Sequence, residues 1–151
     1  MFDMMTDEAY VSRKATAMGA LEHDVTVSML PSGAAVIRLQ RTLPAMVPDF
    51  VRPLVGETIE IVQSDEWGVA AADGSRRGRL SAHISRAPVS LSGEMLLTPN
   101  GERSAVHRVE VEARAKVPFV GARIEKAIGE LILMAARKEE EVGGQWLAER
   151  S

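Results

Sequence analysis

Two hydrophobic rhythms divide this chain, and the point where one replaces the other constrains the fold most. From residue 105 to 115, Ala105, His107, Val109, Val111, Ala113 and Ala115 alternate with Val106, Arg108, Glu110, Glu112 and Arg114. A period of two is the mark of a strand with one covered face and one wet face. Val117-Pro118-Phe119-Val120-Gly121 then stops the strand. Beyond it Ile124, Ala127, Ile128, Leu131, Ile132, Ala135, Val142 and Trp146 recur at three- and four-residue spacings, the stripe of a one-sided helix. About thirty helical residues would run ~45 Å, enough to cross a whole sheet. Gly129 and the Gly143-Gly144 pair each weaken the helix by ~1 kcal/mol against Ala, so a kink or frayed last turn is expected near residue 143.

The earlier chain is built from the same period of two. Thr6-Asp7-Glu8-Ala9 supplies an N-cap and early acids for a short helix that Gly19 ends. From Glu22, His23, Val25, Val27 and Met29 share one parity; Pro31-Ser32-Gly33 turns the chain, and Ala35, Ile37 and Leu39 continue the pattern on the way back. Residues 42–56 hold Pro44, Pro48 and Pro53 among apolar residues, which reads as an apolar loop with a helical turn near Asp49. Met46 and Phe50 in that loop would serve either as gates of a cavity lid or as plain packing. Alternation resumes with Ile59, Ile61 and Trp67, turns at Asp73-Gly74, and returns through residues 79–85 and then 89–98, with Val89, Leu91, Gly93, Met95 and Leu97 facing inward. Six antiparallel strands and one closing helix make an α+β chain of a single domain over residues 1–151.

Net charge and composition narrow the function classes. A formal charge of −3 provides no broad positive field for a phosphate backbone, so nucleic acid is a poor default partner. The absence of Cys removes disulfides, thiolate nucleophiles and Cys-based metal sites. Asp3, Asp7 and Glu8 stand where a secretion signal would need basic and then apolar residues, and the longest apolar run, residues 131–136, is too short to span a bilayer. A cytoplasmic location without integral membrane insertion is the expectation.

Few residues offer chemistry. The three histidines, His23, His83 and His107, show no i, i+4 pair and no metal-ligand spacing, so neither a metal nor another cofactor is expected. No phosphate-binding glycine loop and no nucleophile elbow occurs. His107 on an inward parity reads first as core or cavity wall, and secondarily as a group that orients a ligand. Gln63 and Asp65 share the parity of Ile61 and Trp67, where an unpartnered carboxylate would cost several kcal/mol. Either the strand pattern decays there beside a turn, or these residues are polar anchors in an apolar pocket. The basic cluster Arg76-Arg77-Gly78-Arg79 reads as a solvated turn, with an anionic contact as the sharper alternative, and Glu139-Glu140-Glu141 reads as a solvated helix face.

Met4-Met5-Thr6-Asp7-Glu8-Ala9-Tyr10, Leu91-Ser92-Gly93 followed by Leu96-Leu97 and Pro99, and Val117-Pro118-Phe119-Val120-Gly121 with Ile124-Glu125 beyond it carry a resemblance. Through them the chain resembles the actinobacterial DUF2505 family, within the START/Bet v 1-like (SRPBCC, helix-grip) superfamily. The resemblance implies a curved antiparallel sheet gripping the long helix around an internal cavity, and no specific activity. Relatives place a further strand ahead of the Thr-Asp helix; here six strands are visible, so residues 105–117 are expected to form an open edge, covered by an upstream segment or by a homodimer. The leading expectation is non-catalytic binding of a hydrophobic small molecule, lipid-like or aromatic. Its walls would be Ile59, Ile61, Trp67, Leu91, Met95, His107, Val109, Ile124 and Ile128, with Phe50 at the entrance. The alternatives are an interaction or homodimerisation module with a filled core, and a polyketide cyclase or aromatase-like enzyme using His107 and Asp65.

Overall fold

The computed structural model describes residues 1–44, 49, 52–85, 87–101 and 104–150. Its elements run α1 (Phe2–Met5), α2 (Glu8–Ala17), β1 (Glu22–Met29), β2 (Ala35–Pro44), α3 (Arg52–Val55), β3 (Thr58–Trp67), β4 (Arg76–Ile84), β5 (Val89–Pro99), β6 (Ala105–Ala115) and α4 (Gly121–Glu149). The strands form one curved antiparallel sheet in sequence order, β1-β2-β3-β4-β5-β6. Each strand is joined to the next by a short return or, between β2 and β3, by the proline-bearing segment that contains α3.

Local chemistry accounts for the element ends. Asp7 caps α2 by accepting from the Ala9 N–H at 2.8 Å, and Gly19 at φ 92° turns the chain out of it. Glycines at positive φ also occupy the β1–β2, β3–β4 and β5–β6 returns, at Gly33, Gly74 and Gly101. Two features depart from the sequence expectation. Strand β2 runs on through Arg41 and Leu43 to Pro44, paired with β3 as far as Thr58, so the irregular stretch begins later than residue 42. Helix α4 passes without a break through Gly143-Gly144. Gly143 is buried there because a Cβ would stand 3.3 Å from the Tyr10 hydroxyl and 3.5 Å from Met4 Cε; the glycine lets α1 and α2 press against α4.

The register places one residue set on the face toward α4. Across the sheet the rows are Val25–Leu39–Gln63–Ala82–Leu91–Ala113 and, two residues along, Val27–Ile37–Asp65–Leu80–Gly93–Val111. Residues of the other parity face solvent. Gly93 is required by its neighbour strand, since a Cβ there would meet the Glu110 carbonyl oxygen at 2.4 Å. Gly78 makes room for both backbone and side chain: an added Cβ would lie 2.9 Å from the Glu66 carbonyl oxygen and 2.9 Å from Cε3 of the Trp67 ring.

Candidate functional site

Helix α4 is anchored at its ends. Near its C-terminus Val142 and Trp146 join a large cluster with Met4, Tyr10, Ala35, Ile37, Leu39, Trp67 and Met95. Near its N-terminus Ile124 packs with Val89, and Ile84, Ala115 and Ile128 close around them. Between these clusters the contact loosens. Leu131 and Ile132 are only half-buried, and Ala135, on the same stripe as Ile128 and Val142, is exposed. Opposite this span the inward-facing Ile61, Leu91, Val111 and Ala113 are half-buried and Val109 is 40% exposed. Among the described residues these side chains fall in neither cluster. Mid-helix and mid-sheet thus bound a loosely packed, mostly apolar span, the groove.

One wall of that groove is polar. Arg41 Nη1 donates to Gln63 Oε1 at 3.2 Å, and Gln63 Nε2 donates to Asp65 Oδ1 at 2.9 Å. The three are neighbours on the inner face of β2 and β3; Arg41 lies opposite Ile61, and Gln63 opposite Leu39 and Ala82. From the helical side, Lys14 Nζ donates to Glu139 Oε1 at 3.1 Å, with both side chains partly buried. Burial pushes the Asp65 carboxyl above its ordinary pKa, against the hydrogen bond from Gln63 and the charge of Lys14. Burial likewise pulls the Arg41 guanidinium down, against the charges of Asp65 and Glu139. Lys14, Arg41, Asp65 and Glu139 form two cations and two anions that feel one another across the groove, so the set is neutral in sum.

His107 closes the other side. Its ring lies 5.6 Å from that of Trp67, tilted by 49°, and Nε2 is buried without a hydrogen-bond partner among the described residues. Burial holds its pKa below the ordinary imidazole value, with Glu139 opposing and Lys14 assisting. Asp65 and His107 lie on β3 and β6 and in different cross-strand rows, Asp65 level with Val111 and His107 level with Leu97. They share Lys14 and Glu139 as electrostatic neighbours. Tyr10, 1% exposed, stands edge-on to Trp146 at 5.5 Å, and burial followed by the Glu139 charge pushes its hydroxyl up to about 12.

The residues singled out from the sequence are thus distributed over three environments. Trp67 and Met95 belong to the large cluster, with His107 beside Trp67; Ile124 and Ile128 belong to the small one. Ile59, Ile61, Leu91 and Val109 line the less tightly packed inner face. Phe50 and Met46 lie outside the described residues. Gln63 and Asp65 are mid-strand and hydrogen-bonded, and the strand pattern does not decay until Trp67 is buried beyond them. Arg41 is the functional candidate that pattern reading missed. Glu139, read from the sequence as part of a solvated face, is instead tied to α2. Arg76 does not solvate a turn: it donates to the Gly33 and Gly68 carbonyls at 3.0 and 3.2 Å and lies 3.6 Å over the Phe2 ring.

A cleft of about 600 Å³ opens on the opposite side of the sheet, where Glu66, Glu94, Glu110 and Glu112 surround Arg79. Its acidic, open lining differs from the apolar groove under α4. Among the described residues no group of three or more His, Asp or Glu side chains is arranged to hold a metal ion, and no helix is long and apolar enough to cross a membrane.

Uncharacterized proteins of Mycobacterium bovis and Mycobacterium tuberculosis are each 24% identical to this chain over 113 residues, 74% of its length. The chain spans 64% of the length of these relatives. A family model described as "Protein of unknown function (DUF2505)" matches residues 1–147, and the chain belongs to that family.

Proposed function

We propose that this chain is a helix-grip, START/Bet v 1-like module that binds a hydrophobic small molecule, lipid-like or aromatic, between α4 and the inner face of the sheet, without catalysing a reaction on it. The observation that carries the reading is the loosening of α4 at mid-span. Ile124 and Val142 are 2% and 3% exposed, yet Ala135 between them on the same stripe is exposed. A solid core would bury all three. Affinity would come from apolar area at ~25 cal/mol per Å², and the Arg41–Gln63–Asp65 chain would take the ligand's polar group.

The test is to plug the groove. Ala135→Trp places an indole where the reading puts open space. Fluorescent apolar probes, cis-parinaric acid and anilinonaphthalene sulfonate, are titrated into both proteins, and native mass spectrometry records copurifying compounds. Wild type is expected to bind a probe, and A135W to lose at least tenfold in affinity while unfolding within ~1 kcal/mol of wild type. No probe binding by wild type, together with a loss of ~2 kcal/mol or more in A135W from overpacking, would mean a filled core.

One observation favours a second reading. Among the described residues β6 pairs with β5 alone, so its far edge offers unpaired backbone groups to another strand. A concentration-dependent dimer in sedimentation equilibrium, abolished by Val109→Pro, supports pairing through residues 105–117; a monomer at all concentrations removes it.

A further inference from the structure

Phe119 combines two features that are each unfavourable. Its ring is 105% exposed, the highest value among the large apolar side chains described. Its backbone takes φ 69°, the only positive φ of a non-glycine residue among the described ones, a conformation that bulky L residues rarely adopt. The Val120 N–H donates to the Pro118 carbonyl at 2.9 Å and the Gly121 N–H to that of Val117 at 3.0 Å, so Phe119 sits at the apex of a strained three-residue turn. Gly121 permits this tightness, since a Cβ there would meet the Ala115 carbonyl oxygen at 2.7 Å. Asn or Gly would relieve the strain, and any polar residue would remove the exposed ring.

The surroundings are basic in an acidic chain. Residues 112–126 hold Arg114, Lys116, Arg123 and Lys126 against Glu125 and Glu112, the latter paired with Arg114 at 3.2 Å, in a chain whose net charge is −3. The outer side of α4 continues the pattern for roughly 20 Å beyond the turn, with Lys126, Leu133 at 64% and Met134 at 60% exposure, and Arg137. Glu130, exposed between Lys126 and Leu133, is the one acid on this side before the acidic run that begins at Glu139. An exposed apolar tip flanked along the chain by Lys116, Arg123 and Lys126 offers a shaped partner no groove to fill, whereas it matches the anionic headgroups and adjoining acyl layer of a bilayer surface.

We infer that the β6–α4 turn and the first half of α4 form a peripheral docking surface for anionic lipid bilayers, with Phe119 as the inserted wedge. This surface is separate from the groove beneath α4 and does not depend on it. Co-sedimentation of the full chain with vesicles of phosphatidylcholine alone, and of phosphatidylcholine with an equal amount of phosphatidylglycerol, is the direct test. Wild type is expected to sediment with the anionic vesicles, to be released by salt, and to ignore the neutral ones. Phe119→Ala is expected to weaken binding about tenfold or more, and Lys116→Glu with Lys126→Glu to abolish it. Phe119→Trp should bind as wild type with a blue-shifted emission that appears only with anionic vesicles. Circular dichroism shows that each variant is folded. Failure of wild type to sediment at low salt overturns the inference, as does binding indifferent to F119A. So does a concentration-dependent dimer that F119A dissolves in the absence of lipid, because the tip would then dock on protein.

Discussion

Replacing His107 by Leu isolates the energetics of one groove-side group. In the native state burial holds this imidazole below its ordinary pKa, and Nε2 lacks a partner. In the unfolded chain it titrates near ~6.5. Above that value neither state carries the proton, and His107 contributes no pH dependence. As pH falls through ~6.5 the unfolded chain gains a proton that the native state resists, so stability declines by at most about 1.4 kcal/mol per pH unit until the lowered native pKa is reached. One proton's difference between the states sets that ceiling, and partial exposure of the ring narrows the pH window over which it acts. H107L removes the titration. It also removes the unpartnered nitrogen, worth about 1–3 kcal/mol, while losing the contact with Trp67, worth about 0.5–1.5 kcal/mol. Near neutral pH the variant should therefore equal wild type or exceed it by about 1 kcal/mol, and one unit below ~6.5 the gap should widen by up to about 1.4 kcal/mol. Urea unfolding followed by the fluorescence of Trp67 and Trp146, both in the large cluster, gives the midpoints at each pH. Titrating groups other than Glu139 and Lys14 contribute equally to both proteins, so the difference belongs to His107 together with its interaction with those two. Parallel pH profiles, or a variant weaker than wild type by ~2 kcal/mol, would refute the reasoning.

Arg41→Met alone leaves Asp65 with one cation fewer and should cost about 2 kcal/mol, whereas Arg41→Met with Asp65→Leu should unfold within ~1 kcal/mol of wild type or above it; chemical denaturation of the three proteins decides. In the groove reading, that double variant also loses affinity for an apolar probe bearing a carboxylate. The glycines separate by what surrounds them. Gly93→Ala forces β5 and β6 apart against a carbonyl oxygen 2.4 Å from the new Cβ and should cost about 3 kcal/mol. Gly129→Ala meets nothing within 4 Å and should raise stability by ~1 kcal/mol, both read from thermal melts.

The strands, their facing parities and the long helix were legible because each depends on residues close in sequence. A cap within Thr6-Asp7-Glu8-Ala9, the glycine returns and the inward set from Ile61 to Val109 follow from period and turn chemistry alone. Arg41 was not legible. Its parity continues Ala35, Ile37 and Leu39, but it stands beside Pro44, and a charge next to a proline-rich stretch looks like the start of a loop. Glu139 escaped for a different reason. It sits in a run of three acids, and the lysine that claims it is 125 positions away, a pairing that no local pattern contains. Gly143 read as a weak point because propensity counts only the helix's own backbone; the Tyr10 hydroxyl that needs the space comes from α2.

The charges under α4 bear on what the fold is for. Stability gives little reason to place Arg41, Gln63 and Asp65 between two apolar clusters, since well-packed hydrophobes of similar volume generally do as well or better there. Register gives none either, because the alternating strands and the Trp67–Gly78 fit already fix it. The chain nevertheless keeps a neutral-sum set of charges, a lone imidazole nitrogen and a loosened helix within one region. Each of the three is a local cost. A guest with an apolar body and a polar end would relieve them together, by filling the span beneath Ala135 and supplying partners to side chains that now share few. That shared relief is why the groove, rather than the acidic cleft on the far side of the sheet, is the place to look for a ligand.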